Sequence, residues 1–235
     1  MTIYALNQNR VAKLTTPTSR TTLLGEAKLW PGLAAYINAA HESVGNLITF
    51  LTQLNSTPNG VMSAQEKASV AWKAAQAAAP ALRAARERIE REARELAEEC
   101  AAEAKQFWSA NLPDTATRLR AMEMLERYVS KGQLESVSAL MSDPAIASVL
   151  ATTNRRLIHE NMTQVYQDSV SRSALKKFQP ETIAKADRAE ELLDLAKGYT
   201  EAIRICDTAI SNPTAAAAWD GRPQAPAMPE PVAAA

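Results

Sequence analysis

At 235 residues, with 26 basic and 26 acidic side chains, the chain is long enough to bury a core. It carries no net field that would draw it to nucleic acid or an anionic membrane. Glycine and aromatic residues are sparse, and the wealth of Ala, Leu, Glu and Arg predicts long helices rather than strands.

Residues 1–29 read as an extended basic N-terminal arm. They are rich in Thr and Asn, show no helical periodicity, and hold no acid before Glu26. Arg10, Lys13 and Arg20 are its candidate partner contacts. The N-terminus has no basic region followed by an apolar run, so no signal peptide is expected. The most apolar run, Val44 to Leu54, is interrupted by Asn46, Thr49, Thr52 and Gln53 and is too short to span a bilayer. A soluble, non-secreted, cytoplasmic protein without membrane contact is the expectation.

A helical bundle is predicted over residues 30–211. Pro31 suits a first helical turn, and Leu33, Tyr36, Ile37, Ala40, Val44, Leu47, Ile48 and Leu51 form an apolar stripe, giving a helix over 31–54. The turn-rich segment from Asn55 to Gly60 ends it.

The next element, 63–110, dominates the chain. Ser63 and Glu66 make a capping box, and Pro80 is expected to kink the helix. Leu82, Ala85, Ile89, Ala93, Leu96, Cys100, Ala104 and Phe107 follow in steps of three and four, a narrow seam for close packing. From Pro80 onward an unbroken helix would be roughly 45 Å long. Arg83, Arg86, Arg88, Arg91 and Arg94 precede Glu95, Glu98, Glu99 and Glu103, an order that opposes the helix macrodipole. An antiparallel neighbour with the opposite charge order, such as a second copy, would resolve it; the plain alternative is a mixed, solvated helix face. Leu82, Ile89, Leu96, Phe107, Arg83, Arg91, Glu98 and Glu103 are therefore the candidate protein interface.

Shorter helices are predicted over 115–131, ending at Gly132 as a C′ residue, and over 133–141. Ser142-Asp143-Pro144 then starts a long helix to 179, with Leu157, Val165 and Val170 on its apolar face. Pro180 separates it from the last helix, 181–211, whose seam (Ile183, Ala186, Ala189, Leu193, Ala196, Tyr199, Ile203, Cys206, Ile210) is spaced as in a coiled coil. Gly198 inside it costs about 1 kcal/mol relative to Ala and weakens its continuity. Residues 212–235 read as a disordered Pro/Ala-rich tail. Cys100 and Cys206, both on apolar faces, are expected as buried thiols ahead of a disulfide.

The fold class expected is all-α: an elongated bundle of long, coiled-coil-like helices with flexible N- and C-terminal arms.

No catalytic, cofactor or metal signature is legible. His159-Glu160 opens a zinc-protease motif, but Thr163, after Met162, stands where the second histidine belongs. An E-x-x-H pair is ruled out by Asn38 and Arg156, which lie three residues before the two histidines. Neither a glycine-rich phosphate loop nor a nucleophile elbow occurs. The composition thus points to a non-enzymatic assembly or adaptor protein without a cofactor. It would act through protein partners, as a homo-oligomer or within a larger assembly such as a phage or virus particle, in a structural, scaffolding or accessory role. The alternative is a nucleic-acid-contacting regulator using Arg172, Lys176 and Lys177.

Overall fold

The computed structural model describes residues 16–58, 60–160 and 162–217. Every regular element in them is helical and none is a strand. The elements are α1 (Pro17–Leu24), two 3-10 turns (Ala27–Leu29 and Pro31–Leu33), α2 (Ala34–Ser56), α3 (Ala64–Ala110), α4 (Thr115–Ser130), α5 (Leu134–Leu140), α6 (Pro144–Thr152), α7 (Arg155–Ile158), α8 (Gln164–Phe178), α9 (Pro180–Ser211) and α10 (Pro213–Ala217). The described residues form two compact units, one of residues 16–91 and 192–217, the other of residues 92–191.

In the first unit the expected arm is a helix from Pro17 onward. Thr16 accepts from the Ser19 amide at 3.1 Å while Ser19 Oγ takes the Thr16 amide at 3.3 Å, a capping box that starts α1 with Pro17 in its first turn. Leu24 is fully buried. Gly25 closes the helix at φ +81°, donating its amide to Thr21. His41 Nε2 bonds the Gly25 carbonyl at 2.9 Å, and the buried Tyr199 hydroxyl donates to the Leu24 carbonyl at 2.9 Å. Short polar residues hid this helix, because its stability comes from the cap and from tertiary contact rather than from an apolar stripe. Arg10 and Lys13 lie outside the described residues.

α2 buries Ile37, Ala40, Val44, Leu47, Ile48, Leu51 and Leu54. It starts later than 31 because Pro31 opens a 3-10 turn after Trp30. The first part of α3 meets this core mainly through alanine: Ala68, Ala71, Ala75, Ala78, Ala79 and Ala85 are buried, with Leu82 and Ile89 fully enclosed among them. Enclosing a Leu or Ile side chain contributes about 1.5–3 kcal/mol. α3 remains helical through Pro80. That residue is exposed, so the Gln76 carbonyl it cannot satisfy lies on a solvated face. Ser63 and Glu66 form the expected capping box, with amide bonds of 2.8 and 3.3 Å.

α9 runs unbroken through Gly198. The missing side chain has a use: a Cβ there would lie 1.9 Å from the Leu23 carbonyl oxygen. The backbone of α9 at Gly198 can therefore touch the chain at the end of α1. Leu192 takes the buried position assigned to Leu193, which is 49% exposed. The expected tail begins as helix, since α10 buries Ala216; residues 218–235 lie outside the described residues.

The second unit packs short helices around Trp108, Leu125, Val137, Met141, Leu150, Ile158 and Met162. Phe107 meets Trp108 edge-on at 4.9 Å and stacks on Phe178 at 5.6 Å. α5 follows Gln133 without a side-chain cap, whereas four of the starts have one: Asp114 for α4, Asp143 for α6, Asn154 for α7 and Thr163 for α8. Those last two caps overturn the single helix over 144–179. Thr153 is extended (φ −90°, ψ 138°), and so is His159 (φ −162°, ψ 138°). Helical phase is lost between them, which is why Leu157 and Val165, placed on the buried face, are 70% and 79% exposed.

Candidate functional site

The interface residues drawn from sequence divide by burial. Leu82 and Ile89 have no exposed surface, so the chain's own helices cover them and no partner reaches them in this fold. Leu96 and Phe107 are half-buried, Phe107 against the core of the second unit. Arg91 and Glu98 are exposed.

Three members of the opposed charge halves of α3, Arg83, Glu99 and Glu103, find partners inside the chain, on α9. In the first unit Arg83 Nη2 lies 2.6 Å from Asp207 Oδ1. Glu99 and Glu103 in the second unit both accept from Lys185 Nζ at 2.5 Å, and Thr182 Oγ1 donates to Glu103 at 2.7 Å. The Lys185 and Thr182 hydrogen bonds hold the Glu103 carboxyl below its ordinary range, and those carboxylates push the Lys185 ammonium up. A second copy is not needed to balance these charges.

Arg20 lies half-buried against Gly45, with Nη1 3.0 Å from where a Cβ would stand. Of the nucleic-acid candidates, Lys176 and Lys177 are exposed, but Arg172 is engaged. Its Nη2 reaches Asp187 Oδ1 at 2.5 Å and its Nη1 reaches Glu190 Oε1 at 2.7 Å. Two carboxylates on one guanidinium leave a poor surface for phosphate backbone.

Two concave surfaces stand out, one in each unit. The first is an apolar groove of about 430 Å³ between α2 and α3, floored by Leu47 and Ala78 and walled by Phe50, Val70, Ala74 and Ala77. Phe50 is 40% exposed there, and Lys73 is the one charged residue of the lining. Its α3 wall belongs to a second stripe on that helix, Val70, Ala74, Ala77, Ala81 and Ala84, beside the buried one. This stripe carries no signal in the sequence, because exposed alanine looks the same as propensity filler.

The second surface is a polar cleft of about 750 Å³ where the end of α6, α7 and α8 meet Trp108. Gln167 frames it: buried, its Nε2 donates to the carbonyls of Leu150 (2.5 Å) and Thr153 (2.9 Å). Arg118 donates to Thr153 Oγ1 at 3.3 Å, and Arg155 Nη1 to the Met162 carbonyl at 2.7 Å. Predicting one helix over 144–179 hid this cleft, since it opens at the breaks.

No protein-family model, curated protein or solved structure matches this chain. Among the described residues no group of three or more His, Cys, Asp or Glu is placed to hold a metal ion, and no single helix is long and apolar enough to cross a membrane. The Cys206 thiol is pushed up to about 12 by burial, and burial also raises Cys100, so neither is tuned as a nucleophile.

Proposed function

We propose that the chain is a non-enzymatic helical adaptor or assembly protein that holds an amphipathic helix of another polypeptide in the α2–α3 groove. The observation that carries this is an apolar channel left open between two packed helices, with Phe50 standing at its edge. Exposed aromatics beside apolar pockets are the usual anchors of protein contacts.

The coiled-coil-like character expected of the fold enters at this point. Val70 to Ala84 spans fourteen residues in four steps, a spacing of 3.5, which suits a third helix wound beside α3. Alanine lets that helix come close. Lys73 asks for an acid on the partner, and with Arg83, Glu99 and Glu103 satisfied within the chain, the charge argument favours another polypeptide over a second copy. The terminal arms that suit membership of a larger particle fall largely on residues 1–15 and 218–235, outside the described residues.

The test uses a synthetic amphipathic peptide of about three heptads, with Leu and Ala facing the groove and Glu flanking. Ala77 is exposed, so Ala77→Glu leaves the core intact and should abolish binding. Lys73→Glu should weaken the Glu-flanked peptide and favour a Lys-flanked one. Light scattering identifies the occupant: a monomer supports a separate partner, whereas a dimer broken by Ala77→Glu would put a second copy in the groove. A monomer that binds neither peptide, or binding that survives Ala77→Glu, overturns the proposal.

A further inference from the structure

The polar cleft of the second unit has no part in holding a helix, and its chemistry is different. Its frame is built before any ligand arrives. Gln167 fastens α8 to the last turn of α6, and Arg118 and Arg155 tie Thr153 and Met162 to their surroundings. A cleft fixed in this way loses little ordering entropy when it is filled. Its volume of about 750 Å³ falls in the range of small-molecule sites. It is too polar for a lipid or a helix face.

Three features of the lining specify the ligand. Arg155 and Arg156 bring two guanidinium groups against the single carboxylate of Asp168, so the cleft has a net positive charge. Arg155 commits one N–H to the Met162 carbonyl, and a guanidinium has five to offer. Trp108, mostly enclosed in the core at 8% exposure, borders the cleft at one side, where a flat or ring-shaped body can rest against what remains open. Ser171 lines the same cleft, and its Oγ is enclosed with no hydrogen-bond partner among the described residues. Enclosed hydroxyls are nearly always paired, and a rotation of the Ser171 side chain would bring this one to an oxygen or nitrogen of a ligand in the cleft.

We propose that this cleft binds an organic phosphate of about mononucleotide size. Its phosphate lies at Arg155 and Arg156, its ring body rests on Trp108, and its hydroxyl or amide groups meet Asp168 and Ser171. Guanidinium groups suit a phosphate because their planar forks match its oxygens. Asp168, already accepting from Gln164 at 2.8 Å, is turned to hydroxyl donors and opposes a second anion.

The experiment titrates the full chain with adenosine monophosphate, ribose 5-phosphate, inorganic phosphate and adenosine, by calorimetry and by the fluorescence of Trp108. Trp108→Phe identifies that signal. Adenosine monophosphate should saturate at one site and weaken as salt is raised, with adenosine at least about tenfold weaker. The exposed Arg156, changed by Arg156→Gln with helix content unchanged, should lose about tenfold in affinity for the nucleotide. Asp168→Asn should bind it more tightly. Saturation by ribose 5-phosphate as strong as by the nucleotide would keep the phosphate site and move the body away from Trp108, overturning that part. Adenosine binding as well as its phosphate, Arg156→Gln without effect, or no saturation by any phosphate would overturn the site itself.

Discussion

The two units reach a packed interior by different routes. The first brings long helices together over alanine: α3 contributes Ala71, Ala75, Ala78 and Ala85 to its core, and α9 contributes Ala196, Ala202 and Ala209. Small side chains leave the backbone itself as the contacting surface, and Gly198 carries this to its limit against Leu23. The second unit uses short helices whose ends are closed one by one by Asp114, Asp143, Asn154 and Thr163, around bulky residues such as Trp108, Met141 and Met162. Stability in the first therefore depends on closeness of approach, and in the second on polar groups that start four of its short helices. Each style leaves its own concave surface: an alanine-walled groove in one, a polar cleft at the helix breaks in the other.

The strongest way to break the first style is Gly198→Ala. At an ordinary helix position this change stabilises by about 1 kcal/mol. Here the new methyl meets a backbone oxygen, which cannot rotate away as a side chain would, so α1 must leave α9 or α9 must bend. A loss of more than about 3 kcal/mol in urea unfolding is expected. The Tyr199–Leu24 hydrogen bond should fail with it, and the phenol, whose pKa is raised by burial, should return towards the ordinary value as it becomes exposed. A neutral or stabilising outcome would mean that the close approach is not what holds α1.

That glycine also shows where sequence pattern stops being informative. The long elements were legible because their signal is repeated: a buried seam from Leu82 through Ala93 is a periodicity that survives any one misplaced residue. Gly198 reads as a flaw in a helix until the second chain segment beside it is known. Leu192 and Leu193 are adjacent leucines, and only the packing of α9 decides which goes inside. In the second unit the caps before α4 and α6 were legible because Asp114 and Asp143 adjoin proline, which punctuates the chain. Asn154 and Thr163 have no such neighbour, and the apolar residues between them imitate one continuing helix. Both concave surfaces escaped for related reasons. Exposed alanine carries no signal, and a cleft at a helix break is invisible while the break is.

The second style is tested by Gln167→Ala. Gln167 is buried and serves two carbonyls, those of Leu150 and Thr153, at the point where α6 ends. Removing the amide leaves both acceptors enclosed, at a cost of about 1–3 kcal/mol. The exposed cap Asn154→Ala, which loses one bond to the Arg156 amide, should cost about 1 kcal/mol. Hydrogen exchange would localise both losses to residues 150–170. If the cap variant proves the more damaging, the second unit depends on its helix ends more than on the buried bridge.

The smallest effect is electrostatic, and it tests whether the charge order of α3 contributes to stability at all. Glu103 is held below its ordinary carboxylate range by Lys185 first and Thr182 second. Its contribution is thus present above its unfolded-state pKa and is lost as pH falls through the lower folded-state value. Lys185 shifts the other way, so its contribution is complete below the ordinary lysine range and fades only in strong alkali. The pair should therefore be felt as a steeper loss of melting temperature on the acid side. Glu103→Gln keeps a group that Thr182 can bond while removing the charge. It should lower the melting temperature slightly at about pH 7, where the contribution is present but screened by solvent, and converge with wild type in acid, so that the acid limb flattens. High salt should flatten the wild-type limb in the same sense. A variant that melts in parallel with wild type from about pH 3 to pH 7 would show that Lys185 gives Glu103 no net stability. The opposed charges of α3 would then serve to set the register of α9 rather than to hold it.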